Sequence, residues 1–537
     1  MAAAKQRKLR LSWFLVKPTI DFADVDAIVE PPSKETLHAY RVPALHKERD
    51  SLFLKASHPS PPRWLSLVEG HVDGGGLPAI LGASSSGVLL VPASDQLLAI
   101  TFGYGRHLVR QEAVVQDFGL KVVLNSIDPA QIKSVDARTF DELTIHTKRG
   151  ASRDSSLSVF ALDNSRDLLR AVTGRSSAGG LGSLSGSSAL AVNSNVELPQ
   201  LPEMAKNLVA AYEAKRYKEN FEFIDQMRGE QDPTVVAALD QKLLAALNNP
   251  DGDALAAMHL AIPEAVDWQE IASVRFSFKR KKHEPTPDPK VTLYRELRGV
   301  GQITLERLKS DKVEAVSAVD EDELRGKWRV YDCVVFETDY DNHLYVLSGG
   351  DWFRISKAHR DKVEGFVRGL PELKLDLPVA DLSQDEDVYN AAAATAIGGV
   401  CLDKKLIGLG GVDKVELCDI LTKDGTYIHV KKRGRSSTLS HLFAQGVTSA
   451  EMLLNDQQFL ADATERVKEA DAAFNGVVPT KLGEREKIKV AFVVLSRGQR
   501  PEKPYGLPFF SSVNLMAAAQ RLQNAGIEVR VREIKET

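Results

Sequence analysis

Val415-Glu416-Leu417-Cys418-Asp419-Ile420-Leu421 and Thr426-Tyr427-Ile428-His429-Val430-Lys431, joined by Thr422-Lys423-Asp424-Gly425, decide how this chain is read. Lys423-Asp424-Gly425 is a tight-turn signature, so the two apolar segments are expected to pair as a hairpin. Val412 to Leu421 reads as an apolar strand carrying a charge, Asp419, near its end. A buried carboxylate is costly unless it is paired or holds a cation, which marks Asp419 as a candidate functional group. Thr426 to Lys431 alternates, placing Tyr427, His429 and Lys431 on one face and Ile428 and Val430 on the other. By the same alternation Glu416 lies opposite Asp419, unless a bulge changes the phase.

Upstream, Asp385 to Ile397 is an alanine-rich helix with Glu386 in its first turn, where an acid also complements the helix dipole. Cys401 to Leu409 reads as a strand ended by Gly410-Gly411. Downstream, Lys432, Arg433 and Arg435 form a cationic patch before a helix capped by Ser436 or Ser437. That helix buries Leu439, Leu442, Phe443 and Val447 and sets His441 and Gln445 on a common face. Gly446 inside it costs about 1 kcal/mol against alanine, so a close contact or local break is expected there. Gln457 to Phe474 is a helix, Lys487 to Ser496 a strong central strand, Ser511 to Ala525 a helix closed by Gly526, and Ile527 to Val531 a last strand.

This order of helix, three strands, helix, strand, helix, strand resembles the restriction-endonuclease-like, PD-(D/E)XK, superfamily of nucleases. The resemblance implies that Asp419 is a metal-binding acid and Lys431 the catalytic lysine. His429 stands where Asp or Glu is usual, and Glu386 is the acid contributed by the preceding helix. Asp419, His429 and Glu386 would then hold a divalent metal, Mg²⁺ or Mn²⁺. His429 departs from the pattern: an imidazole brings no negative charge, and hard cations prefer oxygen ligands. Both a softer ion and a site with lost chemistry therefore stay open. His441 and Gln445 would support the site from behind, and Lys432, Arg433 and Arg435 would hold the nucleic-acid strand. The wider chain also resembles a sporadically distributed bacterial family of unknown function often found near mobile or defence genes. Val415 to Asp419, Ile428 to Lys431 and Leu439 to Gly446 carry that likeness, with Phe102 to Arg106 and Asp117 to Leu120 as looser matches. It implies a role in antiviral, anti-phage defence and allows a homo-oligomer or a defence-system protein partner.

At 537 residues the chain exceeds one core, and an α+β multidomain protein is expected. Residues 1–172 read as an N-terminal α+β domain, with strands that include Phe118 to Leu124 and a polar helix from about Arg110. Gly103 and Gly105, between a strand and that helix, suit a turn with close backbone packing; a phosphate cradle is the alternative. Residues 173–198 are rich in Gly and Ser and read as a flexible linker or loop. Residues 199–265 form a helical segment. Residues 266–380 form a β-meander domain with a basic loop, Lys279-Arg280-Lys281-Lys282, beside Phe276 and Phe278. Such a run suits nucleic-acid binding, with the aromatics stacking on bases, or a solvated loop. The meander strands are Lys327 to Glu337, Asn342 to Leu347 and Asp351 to Ile355. Residues 381–537 are the restriction-endonuclease-like α/β core with its mixed sheet.

The net charge of −4 leaves any nucleic acid to be held by local basic patches. Cys333, Cys401 and Cys418 are widely spaced and expected as buried thiols. No apolar run of about eighteen residues occurs, so no membrane span and a cytoplasmic location are expected. The leading expectation is a metal-dependent nuclease-like protein; a catalytically inactive nucleic-acid-binding sensor or scaffold is the rival.

Overall fold

The computed structural model describes residues 9–30, 37–55, 59, 61, 65, 80–83, 85–139, 145–162, 167–176, 182–249, 255, 258–263, 266, 271–279, 281–299, 301–317, 324–381, 384–404, 406–408, 414–432, 439–497 and 503–536. The protein is a mixed α+β chain with several antiparallel sheets. It divides into two compact units, one of residues 1–138, 147–163 and 169–224, the other of residues 139–146, 164–168 and 225–537. No helix among the described residues is long and apolar enough to cross a membrane. The cysteines are free thiols, with Cys333 and Cys418 buried and Cys401 half-buried.

The first unit is built on a sheet of ten strands, with Leu9–Leu15 between Gln96–Gly103 and Leu190–Ser194. Leu11, Trp13 and Leu15 point into one core and Phe14 into another, because this strand is covered on both faces. The segment Phe118 to Leu124, expected as a strand, is the helix Phe118–Ser126. Its apolar run is buried almost throughout, which leaves no periodicity by which to tell helix from strand. Gly119 and Gly186 let this helix sit directly on the sheet, since a Cβ on Gly119 would lie 2.1 Å from the Ala189 carbonyl oxygen.

The expected linker is also corrected in part. Within 173–198, Ser183–Gly186 and Leu190–Ser194 are strands of the same sheet, and Asp167–Ser176 runs into this stretch. Leu184, Leu190 and Val192 are fully buried, so three well-spaced apolar side chains anchor an otherwise Gly/Ser-rich segment. In place of the polar helix from Arg110 stand short 3₁₀ turns, Gly105–Leu108 and Gln111–Ala113. Gly103 and Gly105 serve close packing, as a Cβ on Gly105 would fall 2.0 Å from the Gly87 carbonyl oxygen.

The second unit holds the meander and the C-terminal sheet. Val334–Tyr340, His343–Ser348 and Asp351–Ile355 pair in sequence, turning through left-handed Asp341-Asn342 and Gly349-Gly350. The expected strand Lys327 to Glu337 is instead broken by a helical turn, Val330–Cys333. Leu324–Arg329 thereby enters a separate four-stranded sheet with Lys312–Ser317, Ile271–Phe278 and Lys281–Lys282. The C-terminal sheet runs Val400–Cys401, Ile420–Leu421, Thr426–Lys432, Lys489–Arg497, Glu528–Glu536, with the first three antiparallel and the last three parallel.

One apolar core joins Val335, Leu344, Val346, Ile355, Val363 and Val367 to Tyr427, Phe443, Val490, Phe492, Leu515 and Val529. The expected boundary at 380/381 therefore does not separate two cores. Glu337 strengthens the link, since its carboxylate accepts the Phe509 and Phe510 N–H groups (2.8 and 3.0 Å) at the start of helix Phe509–Asn524. The segment after the meander also docks: Leu373 is buried and its N–H donates to the Val531 carbonyl at 3.0 Å.

Candidate functional site

Strand Thr426–Lys432 is the axis of the site. It pairs antiparallel with Ile420–Leu421 and parallel with Lys489–Arg497, and its middle is buried on both faces. Ile428 and Val430 pack with Tyr389, Ala393 and Ala394 of helix Glu386–Ala396, while Tyr427 packs with Leu442 and Phe443 of helix Leu439–Asn455. Lys431 and Lys432 emerge half-buried at the strand end.

There they meet Glu386. Its Oε1 accepts the Lys431 ammonium at 2.7 Å, and its Oε2 accepts the Lys432 backbone N–H at 2.8 Å. Lys432 Nζ donates to the Gln384 carbonyl at 3.1 Å, tying the strand end to the approach of the helix. Burial works against the Lys431 charge, but the Glu386 hydrogen bond and the charges of Glu386, Asp419 and Glu416 prevail and hold its pKa above the usual lysine value.

Asp419 is 5% exposed, between fully buried Cys418 and Ile420. Its N–H donates to the Ile428 carbonyl at 3.0 Å, its carbonyl accepts the Leu402 N–H at 2.8 Å, and its Oδ2 accepts the Val430 N–H at 2.7 Å. The residue is thus stitched to both neighbouring strands. Burial pushes its carboxyl well above the usual aspartate range, and Glu416, Asp403 and Glu386 push the same way against the Val430 hydrogen bond.

Glu416 stands beside it. Its carboxylate accepts the Lys404 N–H at 2.5 Å and the Gln445 side-chain amide at 3.3 Å, and burial raises its pKa. Asp403, Glu416 and Asp419 each offer one carboxylate oxygen, all within 4.8 Å of one another. Three acids so close repel one another unless a proton or a cation intervenes. An all-oxygen donor set of this kind fits a hard divalent cation such as Mg²⁺ or Mn²⁺.

The group differs from the set Asp419, His429 and Glu386. The strand expected from Val412 to Leu421 ends at Glu416 and resumes at Ile420, so alternation does not carry across Leu417 to Asp419 and Glu416 reaches the Asp419 side. Asp403 follows strand Val400–Cys401, where the Leu402 hydrogen bond brings it next to Asp419. An acid directly after a short apolar strand was the signal available for it. Glu386 is engaged by the two lysines and lies outside the three-carboxylate group.

His429 also lies outside it. The ring is 1% exposed and 6.1 Å from the Phe492 ring, Nε2 has no hydrogen-bond partner among the described residues, and burial pushes its pKa down to about 4. A neutral imidazole in an apolar setting follows. Gln445 reaches the site through Glu416, whereas His441 is exposed. Arg433 and Arg435 lie outside the described residues, as does Arg280; Lys279, Lys281 and Lys282 are exposed on a hairpin of the four-stranded sheet.

A model of one protein family matches residues 11–535, nearly the whole chain. The chain belongs to DUF6119, a family of unknown function. No curated protein and no solved structure matches it.

Proposed function

We propose that the C-terminal sheet carries a divalent-cation-dependent nuclease site that hydrolyses nucleic-acid phosphodiester bonds, in a setting of defence against phage or other mobile DNA. The observation that carries this reading is the convergence of Asp403, Glu416 and Asp419 on one point beside the Lys431 ammonium. Helix Glu386–Ala396, the three antiparallel strands of the sheet with a separate two-stranded hairpin (Leu406–Gly408 and Lys414–Glu416) between the first two, the helices Leu439–Asn455 and Gln457–Ala470 and the parallel strand Lys489–Arg497 support a restriction-endonuclease-like core. The setting rests on the likeness to families near defence genes alone.

A cation held by the three carboxylates would polarise a phosphoryl oxygen and acidify a bound water. The protein's own groups then have distinct tasks. Asp419, fixed by the Val430 N–H, presents one oxygen to the shared point, and Gln445 with the Lys404 N–H aims Glu416 at it. Lys431, kept protonated by Glu386, acts as a hydrogen-bond donor to developing negative charge and not as the base. Glu386 positions that ammonium.

A second reading, a nucleic-acid-binding sensor or scaffold without catalysis, is favoured by the engagement of both Glu386 oxygens with lysines, which withdraws the helix-borne acid from any cation. A cleavage panel decides. The full chain is offered single- and double-stranded DNA and RNA with Mg²⁺, Mn²⁺ or chelator, beside Asp419→Asn and Lys431→Ala. Metal-dependent cleavage lost in both variants, with circular dichroism unchanged, supports the hydrolase. Absence of cleavage throughout, with Asp419-dependent binding heat for neither ion, overturns it.

A further inference from the structure

We infer that the hairpin Ile271–Phe278 with Lys281–Lys282 is a sequence-independent grip for a nucleic-acid phosphate backbone, separate from the carboxylate site. The inference rests on the proposed function only in taking nucleic acid as the partner.

Ser277 pairs with Lys282 and Phe278 with Lys281, which leaves Lys279 at the turn in a left-handed conformation (φ 53°). Lys279, Lys281 and Lys282 are all exposed, and among the described residues none of them makes an ion pair. Three unpaired ammonium groups within four positions of a tight hairpin make a concentrated positive prong on a chain whose net charge is −4. Two exposed lysines elsewhere in this unit, by contrast, face carboxylates: Lys327 meets Glu314 at 3.0 Å, and Lys290 meets Asp288 at 3.7 Å.

The base of the prong is built to hold it still. Phe276 and Phe278 are 1% and 7% exposed, and their ring centroids lie 5.5 and 5.8 Å from that of Tyr294. The Arg298 guanidinium covers Phe278 at 3.9 Å, and the His283 ring lies 4.4 Å from it. Arg298 in turn donates from Nε to the fully buried Asp311 at 2.7 Å, and the Tyr294 hydroxyl donates to the same carboxylate at 2.9 Å. The Asp311 charge is thereby matched internally and does not weaken the field at the tip.

This arrangement selects the partner. The aromatic rings are committed to the core, so none is left on the hairpin to stack on bases. Lysines are compact point charges that lack arginine's planar fork, and they fit phosphates at any sequence. Insertion into a membrane would need an apolar side chain at the tip, and the nearest ones, Phe276 and Phe278, are buried.

Fluorescence anisotropy tests the grip, with the full chain in chelator and labelled duplexes of two unrelated sequences as DNA and as RNA. The variants are Lys279→Ala with Lys281→Ala and Lys282→Ala, and the milder pair Lys281→Gln with Lys282→Gln. We expect near-equal affinity for the two sequences. The slope of log affinity against log salt should fall by about 2 to 3 in the triple variant and by about 2 in the pair. Whichever duplex binds tighter names the source of the phosphates. An unchanged salt slope in both lysine variants, a strong preference between sequences, or tighter binding to phosphatidylserine vesicles overturns the grip. A grip that passes while no cleavage occurs under any metal leaves this inference standing and removes the hydrolase; cleavage with unchanged salt slopes does the reverse.

Discussion

Lys431 and Glu386, 45 positions apart, are joined at 2.7 Å, and the second oxygen of the same carboxylate takes the neighbouring Lys432 N–H at 2.8 Å. One acid thus fixes both the end of the axial strand and the charge state of its lysine. Replacing it as Glu386→Gln keeps the shape and removes the charge. The Lys431 ammonium should titrate at lower pH than in wild type, followed by NMR of the lysine side chain, and stability should drop by about 1 kcal/mol in urea. An unmoved Lys431 titration would show that the pair seen here does not set its charge.

Asp419 provides a test through pH. Its folded pKa is raised above the unfolded one, so its stabilising contribution is complete below the usual aspartate pKa of 3.8 and is lost as pH rises through the raised value. Metal-free protein should therefore be stabilised by Asp419→Asn at pH 8, with the difference shrinking towards pH 4. Added Mg²⁺ or Mn²⁺ should raise the melting temperature of wild type and leave the variant unmoved. Differential scanning fluorimetry across pH, with and without chelator, reads all of these; equal cation shifts in both proteins would remove Asp419 from the ligand set.

His429 separates a ligand from a core residue. With its pKa depressed from 6.5 to about 4, it contributes stability that is full above pH 6.5 and declines as pH falls towards 4, by roughly 3 kcal/mol at most. His429→Phe, beside Phe492, should flatten that acid-side decline while calorimetry still finds wild-type cation binding. Loss of cation binding in His429→Phe would restore the imidazole as a ligand.

Gly446 is where helix Leu439–Asn455 crosses the sheet. A Cβ there would meet Phe492 ring carbons at 2.5 and 2.8 Å and Val490 Cγ1 at 3.2 Å. Alanine would gain about 1 kcal/mol in helix propensity, yet overpacking against a buried ring costs about 1 to 3 kcal/mol. Gly446→Ala should be neutral to destabilising in chemical denaturation, with reduced Phe492 packing visible in near-ultraviolet dichroism. A clear gain in stability would contradict the close approach.

Turns and long amphipathic helices were legible because their chemistry is local. Asp424-Gly425 closes the axial hairpin with Gly425 at φ 77°, and the stripe Leu439, Leu442, Phe443, Val447 marks its helix. The same locality hid the carboxylate group. Asp403 and Glu416 come together with Asp419 through a strand break and a cross-strand hydrogen bond, neither of which leaves a periodic trace. The Phe118–Ser126 helix was opaque for a related reason, since a segment buried on nearly every side shows no polar face from which to count. In 183–194, composition misled: Gly and Ser suggested a tether, while Leu184, Leu190 and Val192 supplied enough burial to order it.

Because Val335, Leu344, Val346 and Ile355 complete the apolar interior beneath Phe443 and Phe492, residues 381–537 are not a portable cassette. Excised, that stretch would present to water a greasy underside normally covered by the meander, and Glu337 would no longer cap the helix at Phe509. Expression of the C-terminal piece alone should give aggregates, and exchange of residues 381–537 between relatives should succeed only when the preceding strands travel with them.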